Sequence, residues 1–156
     1  MKRTIHVHID GERWSYLDAE PVIALLTGLD GLSPYPVPAG ELSVALMEAA
    51  AHCDLHERFL GDPSPTDVIT FPGDAEMDFA GEICVNCDQA LQESCQRGTT
   101  FADELSLYLV HGWLHLAGLD DTTYPERALM RAAEQELLAL ARTHDYLPTS
   151  LNPPAK

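Results

Sequence analysis

The segment from Phe101 to Leu116 constrains the fold more than any other part of the chain. Leu105, Leu107, Tyr108, Leu109, Val110, Leu114 and Leu116 spread apolar side chains almost all the way round a helix and leave no wide polar face. Such a helix has to be enclosed by other elements. "TFAD" opens it, with Thr100 and Asp103 spaced as a capping box. Gly118 ends it, because glycine accepts the left-handed conformation of a helix terminus. With 156 residues the chain is long enough for one domain with a real core around that helix.

The rest of the sequence supplies the enclosing elements. "TIHVHID" (4–10) alternates apolar and polar residues and reads as a strand, with Ile5, Val7 and Ile9 on one face and His6 and His8 on the other, toward solvent. Residues 17–29 read as a short helix, "LSPYPVPAG" as a proline-rich loop, and "LSVAL" (42–46) as a second strand. Residues 48–60 read as a helix stopped at Gly61. "TDVITFPG" and "GEICVN" are strand-like runs rich in Val, Ile, Phe and Thr. A helix over 88–96 breaks at Gly98, and a last one over 125–142 opens with Thr123 and Glu126 as a second capping box. "LPTSLNPPAK" (147–156) is a Pro-rich tail expected to be mobile. No repeat or linker divides the chain, so the expectation is a single domain over 1–146 followed by that tail.

Charge and cysteines narrow the function. The balance of 25 acidic against 9 basic residues, net −16, argues against broad adhesion to nucleic acid and fits a solubility adaptation. It leaves room for a local basic groove. No apolar stretch is long enough for a membrane span, and no hydrophobic region follows the basic "MKR" start, so the expected location is the cytoplasm. Of the four cysteines, Cys84 and Cys87 form a lone C-x-x-C, expected to be buried, inert thiols and not half of a zinc site.

The chemistry sits at the end of the central helix, in "HGWLHLAGLDD" (111–121). His111 and His115 are one turn apart on one helical face, so two imidazoles can reach one ion. The turn at Gly118 can aim Asp121 at the same point, with the neighbouring carboxylate of Asp120 as an alternative ligand or a partner behind the ligands. Three protein ligands leave a fourth position for water, the mark of a catalytic and not a structural zinc site. Zincin peptidases place a glutamate directly after the first histidine as general base, and here that position is Gly112.

Three motifs in order carry a resemblance. "HGWLHLAGLDD" resembles the H-G-x-L-H-L-x-G-Y-D-H signature of the YbeY family, "PTDVITFPGD" resembles that family's P-T-D-V-L-S-F-P segment, and "GEICVN" resembles its G-D-I-x-I-S strand. The resemblance covers residues 41–143. It implies an α+β fold, with a small mixed sheet of about four strands packed against helices around a central metal-binding helix. It implies one divalent metal per chain, Zn2+ the expected ion, held by His111, His115 and Asp121. It also implies a single-strand-specific endoribonuclease acting on ribosomal RNA precursors, in 3′ end maturation of the small-subunit RNA and in ribosome quality control. A ribosomal subunit or ribosomal protein would present the RNA.

Two departures stand out. Asp121 replaces a usual third histidine, which makes the bound water less acidic and the site more hospitable to Mn2+ or Fe2+. Leu60 stands before Gly61 where many members carry an arginine, leaving Arg58 as the nearby candidate for substrate phosphate. Asp67 and Glu82 are the candidate proton acceptors, and Asp67 reads equally as a turn residue. A hydrolase of a non-RNA substrate, a ribosome-assembly factor with a structural metal, and a two-His-one-carboxylate iron oxygenase are the other readings of the same residues.

Overall fold

The structure is a computed structural model and describes residues 3–154. Four strands, β1 (Ile5–Asp10), β2 (Glu41–Met47), β3 (Val68–Asp74) and β4 (Phe79–Asn86), form one mixed sheet. Its order is β1-β2-β4-β3. The β1–β2 and β2–β4 pairs are parallel, and β3 closes the edge antiparallel to β4. Among the described residues five α-helices complete the fold: α1 (Glu20–Leu32), α2 (Ala49–Leu60), α3 (Cys87–Arg97), α4 (Phe101–Leu116) and α5 (Tyr124–Thr143). This is the expected α+β architecture. No helix among the described residues is long and apolar enough to cross a membrane.

Strand alternation divides the molecule into two layers. Leu42, Val44 and Leu46 of β2 and Ile83 and Val85 of β4 point to one face and join the main core with α1, α4 and α5. Met47, Ile69 and Cys84 belong to a smaller cluster on the other face, which Leu55 of α2 covers. The helix α4 touches β3, β4, α1, α3 and α5, which explains its all-round apolar surface. Residues 104–106, 108–110 and 112–114 of it are buried. Before the terminal Leu116, which is also partly exposed, the less covered positions are Asp103, Leu107, His111 and His115, spaced at four-residue steps along one stripe. The two histidines therefore lie on the single open face of the central helix.

Both capping boxes form: Thr100 Oγ1 accepts from Asp103 N at 3.0 Å, and Thr123 Oγ1 from Glu126 N at 3.3 Å. In β1, His6 and His8 are exposed while Ile5, Val7 and Ile9 pack on the core, as the alternation requires. Burial first, and nearby carboxylates second, push the thiols of Cys84 and Cys87 up to about 12, so both are inert at neutral pH.

Two expectations need correction. The helix α1 begins at Glu20, not 17, because Pro21 is favourable only in a first turn and Asp18 Oδ1 accepts the Glu20 amide at 3.0 Å. It also runs past 29 to Leu32, and the Tyr146 ring packs against its Gly28. Over its described residues, 147–154, the tail is seated, not free: Leu151 is in the core, Pro148 is buried, and the Tyr16 hydroxyl donates to the Asn152 carbonyl at 2.7 Å. One apolar side chain in a stretch pre-stiffened by proline suffices to dock it.

Gly112 sets how tightly α4 lies on the sheet. A β-carbon there would stand 2.5 Å from Ile83 Cγ2 and 3.3 Å from Val68 Cγ1. Ile83 is fully buried and stiff at χ1, so it cannot swing away. Alanine at 112 gains ~1 kcal/mol of helix propensity and loses ~1–3 kcal/mol to overpacking. We expect Gly112→Ala to be net destabilising, by about 1 kcal/mol in urea unfolding. A variant as stable as the wild type would show that this contact yields freely. Position 112 also faces the sheet and not the open stripe, so a zincin-type glutamate has no room there.

Candidate metal centre

The helix α4 ends in a Schellman turn. The Gly118 amide donates to the His115 carbonyl at 3.0 Å and the Leu119 amide to the Leu114 carbonyl at 3.0 Å, with Gly118 at φ +102°. That reversal brings residue 121 back beside the open stripe. Arg127 Nη1 braces the loop by donating to the Thr122 carbonyl at 3.1 Å. Asp120 Oδ1 accepts the Asp121 amide at 2.8 Å, so Asp120 holds the loop while Asp121 faces the histidines.

Three atoms then converge. His111 Nε2 and His115 Nε2 are 3.0 Å apart, and Asp121 Oδ2 lies 3.3 Å from the first and 3.4 Å from the second. Donors roughly 2.0–2.2 Å from a tetrahedral zinc stand roughly 3.3–3.6 Å from one another. The carboxylate edges match that spacing and the imidazole edge is slightly short. Two imidazoles and a carboxylate oxygen form a donor set that suits zinc and its divalent neighbours.

A fourth residue, not singled out in the sequence, orients the first histidine. His111 Nδ1–H donates to Glu134 Oε2 at 2.6 Å. This bond directs the Nε2 lone pair to the centre, the usual arrangement behind a metal-binding imidazole. Burial disfavours protonation of His111, but Glu134, then Asp67 and Asp121, outweigh it and raise its pKa above the ordinary histidine value.

Two clefts flank the histidines. One, of about 500 Å³, runs past His115, Leu116, Leu119 and Asp120 to Phe79 and Pro72, and is largely apolar. The other, of about 440 Å³, runs past His111 and Glu134 and is walled by Asp67, Tyr108, Arg97 and Arg131. Asp67 is thus brought beside His111, and it also serves as a turn residue, since its Oδ1 accepts the Val68 amide at 2.8 Å.

Two other candidates are not brought there. Glu82 precedes Ile83 on β4 and points to the opposite face of the sheet, where Ser43 Oγ donates to it at 3.1 Å. Arg58 lies on α2, across the sheet from α4, and pairs with Asp54 at 2.8 Å one turn back. It lines neither cleft.

Comparison with known proteins agrees with this layout. The solution structure of TM1509 from Thermotoga maritima superposes with a TM-score of 0.57 at 25% identity, covering 92% of this chain and 97% of that one. An endoribonuclease YbeY of Frankia casuarinae is 37% identical over 115 residues, which is 65% of this chain and 57% of the relative, so the chain spans little more than half of that protein's length. The endoribonuclease YbeY of Thermobifida fusca is 34% identical over 121 residues, 71% of this chain and 77% of its own. The model of the family described as endoribonuclease YbeY matches residues 22–142, a stretch that holds α4, the Gly118 turn, Asp121 and Glu134. On that match, together with the order of its three motifs, this chain belongs to the YbeY family.

Proposed function

We propose that this chain is a metal-dependent endoribonuclease that cuts single-stranded RNA during ribosomal RNA maturation, with the 3′ end of the small-subunit RNA as its target and the cytoplasm as its place of action. The observation that carries the reading is the convergence of His111, His115 and Asp121 on the one open stripe of a buried helix, between two clefts. The names of the relatives support RNA as the substrate class.

When bound, a divalent ion supplies an acidified water as nucleophile and polarises a phosphoryl oxygen. His111, His115 and Asp121 would hold it, two imidazole nitrogens and one carboxylate oxygen. Zinc is the expected ion. Asp121 in place of a third imidazole makes the site one unit more negative and admits Mn2+ or Fe2+. Glu134 keeps Nε2 of His111 turned to the centre. Asp67 faces the cleft beside His111 and is the proposed proton acceptor, a role for which Glu82 is on the wrong side of the sheet. At a net charge of −16 the chain holds naked RNA weakly, with a shallow salt dependence, and a ribosomal subunit or ribosomal protein presents the substrate.

The test uses wild type and a His111→Ala/His115→Ala chain, purified identically and assayed on ribosomal RNA precursors and on assembled subunits. Metal-dependent cleavage by the wild type alone is expected. Equal cleavage by both would reveal a contaminating nuclease. Silence from both on every substrate would favour an assembly factor whose metal only braces the fold.

A further inference from the structure

We propose that Arg131 is a phosphate-binding residue, and that the cleft it shares with His111 holds the sugar-phosphate backbone next to the scissile position; the identity of the ligand as single-stranded RNA rests on the function proposed above. His111, Glu134, Asp67, Arg97 and Arg131 all stand in the walls of this cleft. It therefore opens directly onto the imidazole whose Nε2 faces the candidate metal centre. A strand with one phosphate at that centre runs a neighbouring phosphate into the cleft.

The charges there are not equivalent. Glu134 is bonded to His111 at 2.6 Å, and Asp67 Oδ1 accepts the Val68 amide. Arg97 is held by Glu93, 3.2 Å from its Nε. Among the described residues the arginines in ion pairs are Arg3, Arg13, Arg58 and Arg97. Arg131 is exposed and has no ion-pair partner among those residues. In a chain with 25 acidic side chains to 9 basic ones, an arginine beside a histidine–carboxylate centre and without a carboxylate of its own is set apart. Its planar fork of N–H donors suits two phosphate oxygens at once. Glu134 lies three residues along the same helix, so α5 orients the histidine and presents the cation from adjacent positions of one face.

The experiment separates a local contact from general charge. Binding of a labelled single-stranded oligoribonucleotide to chelator-treated protein is followed by anisotropy across a salt series, for wild type, Arg131→Ala, Arg131→Lys and Arg142→Ala. Arg142 is exposed in the last turn of α5, outside the cleft, and its removal changes net charge equally. Arg131→Ala is expected to weaken binding about fivefold to tenfold and to lower the salt slope by about 0.7–1. Lysine should restore part of the affinity, because it returns the charge without the fork. Arg142→Ala should match the wild type. With metal restored, Arg131→Ala should raise KM in similar proportion at nearly unchanged kcat and unchanged metal content. Identical behaviour of Arg131→Ala and Arg142→Ala overturns the proposal, as does loss of metal from Arg131→Ala, which would mark a structural role through Glu134. If cleavage proves insensitive to the double histidine change, the nuclease reading falls while the Arg131 binding result stands. Absence of any RNA binding by wild type, with or without metal, overturns both.

Discussion

Replacing His115 with alanine is expected to leave the chain without stoichiometric divalent metal. The wild type should hold one equivalent, because its three donor atoms stand 3.0, 3.3 and 3.4 Å apart on one open stripe. Losing even a residue that merely orients a ligand costs about 10–100-fold in metal affinity, so losing a ligand should cost well over 100-fold. Asp121→Ala should weaken binding to a similar degree and leave both imidazoles in place. Asp121→His should instead retain binding and shift preference from manganese toward zinc, because imidazole is the softer donor. Elemental analysis after dialysis, with zinc and manganese competition titrations, reads all three. A His115→Ala chain that keeps a full equivalent would sink the ligand assignment. An unchanged zinc-to-manganese ratio in Asp121→His would sink the idea that residue 121 tunes the ion.

The central helix and its histidines were legible because they depend on local pattern alone. The apolar surround of 101–116 dictates burial on nearly all sides, and a four-residue step from His111 to His115 survives any packing arrangement. Gly118 announced the turn, and the turn alone suffices to return Asp121 to the helix. Glu82 was misplaced for a reason of parity. Ile83 and Val85 face α4, so an acid at position 82 must face α2, but the sequence of β4 does not say which of its two faces meets α4. Arg58 failed similarly, since which face of the sheet α2 covers is a tertiary fact. The seating of Leu151 depends on a core that only the assembled chain creates. Glu134 did leave a trace. Met130, Ala133, Leu137 and Ala141 make the buried stripe of α5, and Glu134 sits within that stripe, a carboxylate at a position where burial demands a partner. The missing information was which histidine would meet it.

That partnership predicts the second large effect. Glu134→Ala is expected to lower metal affinity about 10–100-fold, or about 1.4–2.8 kcal/mol. The cause is loss of the 2.6 Å bond from His111 Nδ1–H, after which the ring can turn or adopt the other tautomer. Glu134→Gln keeps an acceptor and should fall between wild type and alanine. The pH dependence distinguishes this role from simple damage to the fold. His111 must shed its Nε2 proton to bind an ion, and Glu134 raises its pKa, so wild-type metal binding should weaken as pH falls through that raised value. In Glu134→Ala the inflection should move to lower pH, because the largest favourable influence on the imidazolium is gone. The metal-free chain carries the opposite sign. A histidine with a raised folded pKa contributes stability that is fully present below its unfolded value and is lost as pH rises through the folded one. Metal-free wild type should therefore lose stability across that window, added zinc should restore it, and Glu134→Ala should show little of the loss. Thermal melts with and without chelator between pH 5 and 8 check the sign, and metal titrations over the same range check the inflection. An alanine variant with wild-type affinity and an unmoved inflection would remove Glu134 from the site.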